Sequence, residues 1–309
     1  SFISITFLNH YINIEILRSE PTQGKFKSYS LTHDNLGRTY DVFVPDSLKK
    51  NAPVFFIFHG SYGTSAGMRG ATGFDFEYLA QEKGFLVVYP QGYKNFWNDC
   101  RGSADYEANL KDVDDIGYYK KVINLIEKDF GINKNNIIST GISNGGHMVY
   151  KLAYEIPNST FLHAPLVANL PIKNNNDCDI SEVEVNMAIF KGTNDQINPY
   201  NGGLVSLLGN DSRGEVLSSE ESYKYWRDLS FFEEENFKIL PERDKNLNSS
   251  VTKKDVIGSK IVALYTLVNG GHIYASPNVK YSSFFGGNVN DINTAEEIYK
   301  IFENLKINN

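Results

Sequence analysis

Residues 135–157 read NNIISTGISNGGHMVYKLAYEIP, a β-branched run that breaks at Gly141-Ile-Ser143-Asn-Gly145-Gly146 before a helical pattern begins. A serine with glycines two residues to either side, on a turn from strand to helix, is a nucleophile set clear of its own backbone. So tight a turn forces the serine into a strained conformation, and a side chain two residues away would collide with neighbouring backbone. A serine hydroxyl is a poor nucleophile until a base takes its proton, and the base needs a carboxylate to hold its tautomer. Both follow in the chain: Asp195 in FKGTNDQINPY and His272 in LVNGGHIYASP, each just beyond a strand-like run. The expected chemistry is acyl transfer through a covalent intermediate on Ser143, with the backbone N–H of Asn144 receiving the oxyanion. A glycine-rich turn capped by serine, a turn-forming Asp195 and a plain loop histidine are the structural alternatives, and the order Ser, acid, His at strand ends weighs against them.

The remaining histidines weigh less. His147 lies one helical turn after Ser143, but its place inside the helix points it back into packing. His59 closes the run PVFFIFHG and is expected to fix the next loop by hydrogen bonds, and His163, in FLHAPLVANL, reads as a satisfied core or cleft-wall residue. His10 and His33 carry no local signal. The loop HGSYGTSAGMRGATG is rich in glycine but lacks the Gly-Lys-Ser/Thr of a phosphate cradle. Its expected task is a second oxyanion N–H, from Ser61 or its neighbour Tyr62. In KDVDDIG, Asp112, Asp114 and Gly117 fall as in a calcium loop, yet Ile116 and Ile123 stand where ligands are required. With no His-Glu-x-x-His and no Cys-x-x-Cys, no metal and no other cofactor is expected.

The elements that must position these residues alternate along the chain. KFKSYSLT and RTYDVFVP form a hairpin pattern around HDNLG. APVFFIFHG and GFLVVYPQG read as strands buried on both faces, with the helical FDFEYLAQEKG between them. DDIGYYKKVINLIEKDFGI is a second helix, capped by Asp114 or Asp115, leading into NNIIST. VEVNMAIFKG and KIVALYTLVNGG are further strands, separated by the helix SSEESYKYWRDLS and followed by the helix DINTAEEIYKIFENLK. This order predicts an α/β fold, a mostly parallel doubly wound sheet with helices on both faces, and residues 1–309 read as one domain. Residues 1–27 are an extension whose opening SFISITFLNHYINIEIL reads as an edge strand or the trace of a secretory segment. NFKILPERDKNLNSSVTKKDVIGS reads as a surface excursion.

Composition excludes several partners. The 309 residues are 41% hydrophobic and 22% charged, enough for a sizeable core, and the net charge of −7 leaves no basic surface for nucleic acid. No apolar run approaches the roughly 20 residues of a membrane span. Cys100 and Cys178 are open to two readings, one disulfide or two buried thiols. The sequons at Asn158, Asn210 and Asn248 are expected by chance in so asparagine-rich a chain.

Taken in order, FIFHGSYGTSAGMRGATGFDFEYLAQEKGFLVVYPQG, WNDCRGSADYEANLKDVDDIGYYKKVI, STGISNGGHMVYKLAYEIP, IFKGTNDQINPYNGG and NGGHIYASP resemble the polyhydroxybutyrate depolymerase and feruloyl esterase family of α/β-hydrolases, over about residues 28–305. The resemblance implies a triad of Ser143, Asp195 and His272, oxyanion donors at Ser61 and Asn144, and Trp97 near the cleft. It implies an exported serine esterase acting on short, hydroxyacyl or aromatic acyl esters, with a small or oligomeric ester as its partner. It also implies that Cys100 and Cys178 pair. The sequence departs from the family at Tyr274, where a Trp is common, and at Ser61, where the depolymerase branch often has Cys; both leave the substrate open. Trp97, Tyr62, Tyr200 and Tyr274 fall in loops after strands, where they would line a cleft and stack on a flat acyl group. A peptidase of the same fold and a non-catalytic binding protein are the competing readings; no selecting lid or propeller is visible for the first, and all three triad residues are present against the second.

Overall fold

The computed structural model describes residues 13–245 and 248–307. Most of the apolar opening, with His10, lies outside the described residues. The first described strand, β1 (Ile14–Ile16), is followed by the expected hairpin of β2 (Lys25–His33) and β3 (Leu36–Val44). The hairpin turns through Asp34 and Asn35, both at positive φ (47° and 58°), the two-residue turn whose twist matches that of paired strands. Then come β4 (Val54–Phe58), α1 (Ser65–Ala71), α2 (Asp75–Lys83), β5 (Leu86–Pro90), α3 (Glu107–Leu110) and α4 (Asp115–Phe130). β6 (Ile137–Ile142) leads into α5 (Asn144–Glu155), and β7 (Leu162–Leu166) and β8 (Met187–Gly192) follow. A ribbon of β9 (Gly203–Leu204) and β10 (Glu215–Val216) precedes α6 (Ser219–Leu229). The chain then runs through β11 (Phe232–Ile239), β12 (Ser250–Gly258), β13 (Ile261–Val268), β14 (Val279–Tyr281) and α7 (Thr294–Ile307).

Ten of these strands form one sheet in the order β11-β12-β13-β8-β7-β6-β4-β5-β3-β2. The run from β13 to β5 is parallel, while β2, β3, β11 and β12 join it antiparallel. Because strand side chains alternate between faces, Phe55 and Ile57 pack with α1, α2 and α7 on one side, while Phe56 and Phe58 pack with α4 and α5 on the other. The helices start and stop where the sequence signals: Asp114 caps α4 by accepting from the Gly117 N–H, Ser218 and Glu221 form a reciprocal cap on α6, and Gly84 and Gly131 end α2 and α4 in the left-handed region. Cys100 and Cys178 are bonded to each other, Cα atoms 5.0 Å apart. Among the described residues no helix is long and apolar enough to cross a membrane.

Two expectations change. β1 is a strand, but it pairs with β14 in a separate ribbon rather than extending the main sheet. Much of the supposed surface excursion is β11 and β12, whose outward residues are charged because this end of the sheet faces solvent on both sides of β11. FLHAPLVANL contains β7, fully buried between β6 and β8, despite a proline within it.

Candidate active site

Ser143 sits between β6 and α5 at φ 57° and ψ −117°, outside the helical and extended wells, and its carbonyl accepts the His147 N–H at 2.9 Å. The surroundings explain the glycines. A Cβ on Gly145 would lie 2.3 Å from the Phe58 carbonyl oxygen, and one on Gly141 would lie 2.6 Å from the Gly145 backbone. The nucleophile turn is thus wedged against the end of β4, with only hydrogen where any other residue would clash.

Asp195 and His272 meet at the same edge of the sheet, beyond β8 and β13. The His272 Nδ1 lies 3.0 and 2.9 Å from the two Asp195 oxygens, and both side chains are buried. Asp195 also accepts from the Ile197 and Asn198 N–H groups at 3.0 and 2.9 Å, and from the Lys191 Nζ at 3.0 Å. Burial opposes its charge, yet His272, the Lys191 ammonium and these N–H donors hold its pKa down to about 2. An ionised carboxylate can only accept, so His272 donates from Nδ1, and in the neutral ring the lone pair is on Nε2. Lys191 is not among the site residues expected from the sequence. It is fully buried, and burial pulls its pKa below the usual lysine range, but its ammonium finds Asp195, the Asn198 carbonyl at 2.6 Å and the Asn198 side-chain oxygen at 3.2 Å. The Asn198 amide in turn meets His147 Nε2 at 3.0 Å, so His147 is packed behind the dyad, as its helical position implied. A lysine inside the otherwise apolar run NMAIFKG was the available signal, since a buried ammonium requires an anion.

The loop after β4 forms the opposite wall. His59 donates from Nδ1 to the Gly60 carbonyl (2.8 Å) and accepts the Gly92 N–H on Nε2 (2.9 Å); burial pushes its pKa down to about 4, so it is neutral at pH 7. It holds the loop, as expected. Tyr62 uses its N–H on the Asn95 carbonyl and Gly63 on the Gly60 carbonyl, both at 3.0 Å, so these two are committed, while Ser61 lines the same cavity as Ser143. Asn144 opens α5, where N–H groups lack intrahelical partners. Its side chain is locked by the Trp97 N–H (2.8 Å), the Trp97 carbonyl (3.1 Å) and Asp99 (2.6 Å), and Asp99 is paired with Arg101 and Tyr106. The Cys100–Cys178 bond fastens this same segment.

Ser143, His272, Ser61 and Tyr62 line one cavity of about 590 Å³. Its other walls are mostly apolar: Ile14, Met68 and Ala71 on one side, Leu207 and Leu208 from the segment between β9 and β10, Tyr281 at the end of β14, and Phe284 and Phe285 beyond it. Tyr62, on this lining, is 61% exposed. Trp97 and Tyr274 do not line it. Trp97 is fully buried, donates from Nε1 to the His59 carbonyl at 2.9 Å and packs on Phe58. It ties the β4 loop to Asn144 rather than touching a ligand. Tyr274 is 1% exposed, and its hydroxyl accepts the Ala295 N–H at the start of α7. Tyr200 is occupied with Thr266 and Glu220. His163 lies in the core with neither ring nitrogen hydrogen-bonded among the described residues, so it is not the satisfied histidine expected; burial pushes its pKa down to about 3.

Solved structures share the fold. An acetyl xylan esterase from Aspergillus awamori superposes with a TM-score of 0.52 at 15% identity, covering 80% of this chain and 94% of that one. The fold is that of an α/β-hydrolase. Here Ser143, Asp195 and His272 stand on the loops that follow β6, β8 and β13. A ferulic acid esterase of the anaerobic fungus Anaeromyces mucronatus is similar at 17% identity, with a TM-score of 0.46, over 70% of this chain and 82% of that one. By sequence, this chain is 26% identical over 166 residues to a bifunctional acetylxylan esterase/xylanase of Neocallimastix patriciarum. That match covers 53% of the chain and spans 22% of the length of the curated relative. No family model matches the chain.

Proposed function

We propose that this chain is a serine esterase that hydrolyses carboxylic esters through an acyl-enzyme on Ser143. The observation that carries the reading is that the strained Ser143 and the Asp195-held His272 open onto the same apolar cavity. His272 Nε2 takes the Ser143 proton as Oγ attacks the ester carbonyl, and Asp195 stabilises the imidazolium that forms. The N–H groups of Asn144 and Ser61 receive the oxyanion, and His272 then protonates the leaving alcohol. Water repeats the sequence and releases the acid. These steps use only groups of the chain and water.

The substrates are short esters with a hydroxyacyl or an aromatic acyl part, such as feruloyl. The apolar walls with Tyr62, Phe284 and Phe285 support this class, as does the likeness to a relative named for acetylxylan. Residues 1–309 act as one catalytic unit, with 1–27 as an extension, and the chain works outside the cytoplasm; the Cys100–Cys178 bond supports the location.

A fluorophosphonate probe should add to Ser143, located by peptide mass analysis. Ser143→Ala should lower turnover of p-nitrophenyl acetate by roughly 10³-fold or more with the fold intact, and His272→Ala by about as much, without the two losses adding. A Ser143→Ala variant that kept more than a few per cent of activity would sink the reading.

A further inference from the structure

The segment 13–20 is stitched to the rest of the molecule at several points. β1 pairs with β14 through Ile14–Tyr281, Glu15–Lys280 and Ile16–Val279. The Leu17 N–H donates to the Asn278 carbonyl at 2.9 Å, and the Ser282 N–H to the Asn13 carbonyl at 3.1 Å. Arg18 donates to the Gly73 carbonyl and to the buried Asp75, each at 2.6 Å, while Glu20 pairs with Arg69. Ile16 lies so close over Gly70 that a Cβ there would meet its Cδ1 at 2.6 Å. A segment held at so many points has a fixed backbone, and a β-branched side chain on it has a fixed direction.

That side chain is Ile14, half-buried, on the wall of the Ser143 cavity beside Ala71, Tyr281 and Phe285. The ribbon also reaches the catalytic groups. β14 runs directly into the turn Ser283–Phe285, whose Phe284 and Phe285 line the cavity. The Phe285 carbonyl accepts the His272 N–H at 2.6 Å, and the Gly287 carbonyl accepts that of Gly271 at 2.8 Å. One continuous hydrogen-bonded path therefore joins the strap, the aromatic wall and the loop that carries His272.

We propose that the strap of residues 13–20 is part of the active site, and that Ile14 sets how large an apolar group of the ester the cavity admits. The inference rests on the esterase reading above. The apolar group is either the acyl chain or the alcohol part, since both meet at the carbon attacked by Ser143, and the cavity chemistry is the same for each.

The test uses two ester series on the full chain, p-nitrophenyl esters from acetate to octanoate and acetate esters of alcohols of increasing size, with Ile14→Ala and Ile14→Trp. In the series whose variable group occupies the cavity, Ile14→Ala should raise kcat/KM for longer relative to shorter members by roughly fourfold for each methylene admitted. Ile14→Trp should lower the same ratio about tenfold or more. The opposite signs keep the test decisive if one variant loosens the strap. Folded, active variants whose ratios stay within about twofold of wild type in both series would overturn the inference alone. Absence of wild-type turnover in both series would remove the esterase reading, and this inference with it.

Discussion

The floor and the walls of the cavity are built in different ways. The floor, with Ser143, Asp195 and His272, sits on loops that leave buried parallel strands. Backbone packs there against backbone, so closely that Gly145 has no room for a methyl group. Asp195 is held there by Lys191 of β8, by two N–H groups of its own loop and by His272. The walls come instead from pieces added around the sheet: the 13–20 strap, the tip Leu207–Leu208 and the turn at Phe284–Phe285. Leu208, at positive φ on that tip, is 55% exposed, and Tyr62 is more so. Substitution in the floor disturbs several partners together, whereas substitution in the walls changes a surface. The chemistry is therefore expected to tolerate little change and the selectivity much more.

The largest effect expected from this contrast is that of Asp195→Asn. An amide can turn its NH₂ toward His272 and favour the wrong tautomer, so kcat should fall by roughly 10³- to 10⁴-fold. The same variant bears on stability. The folded pKa of about 2 lies below the ordinary aspartate value, so the ionised carboxylate stabilises the fold above pH about 4, and that contribution is lost as pH falls through 2. Denaturant unfolding at neutral and acid pH should show wild type losing about 2 kcal/mol that the variant does not lose. Equal pH slopes would mean that Asp195 is not the clamped anion described.

A smaller effect is expected from opening the Cys100–Cys178 bond, which lies behind the floor. Replacing both cysteines with alanine should cost about 2–4 kcal/mol, because the bond closes a long loop that contains the nucleophile turn. Calorimetry would report it, and free-thiol titration of unreduced, denatured wild type should find none. An unchanged melting temperature would show that the Trp97–Asn144 ties hold this segment without the bond.

The walls should give the smallest changes. Tyr62→Ala and Leu208→Ala should each alter stability by less than about 0.5 kcal/mol, as exposed sites do. Their effect should appear as a change of a few-fold in kcat/KM that depends on the ester. A loss of kcat common to all esters would erase the distinction between floor and wall.

Sequence patterns expose the floor well and the walls poorly, for physical reasons. The Gly-x-Ser-x-Gly spacing, and an Asp and a His just after apolar runs, are dictated locally by turn sterics and strand ends. The same holds for β4, β5, β6, β8 and β13, whose apolar runs can only be buried strands. β7 is less legible, because a histidine and a proline interrupt its run. β11 and β12 are hidden because their solvent faces carry charges in place of alternation. The walls leave no spacing rule, since Ile14, Leu207 and Phe285 are distant in the chain and meet only through the ribbon pairings. Aromatic residues mislead in the same way. Trp97 and Tyr274 fall after strands, as a cleft residue would, but their polar ends found backbone partners in the interior. Tyr62 had no such partner to draw it in.

The outermost strand, β11, has a further consequence. Its row Phe232-Glu-Glu-Glu-Asn-Phe-Lys-Ile239 pairs only with β12 among the described residues, so one line of N–H and C=O groups is open to another chain. Exposed Phe237 and Ile239 would favour such pairing. Glu233 and Glu234 oppose it, because a second copy docking edge to edge would bring like charges together. The protection against fibrous or amorphous association is electrostatic, and it weakens as salt shortens the reach of those charges.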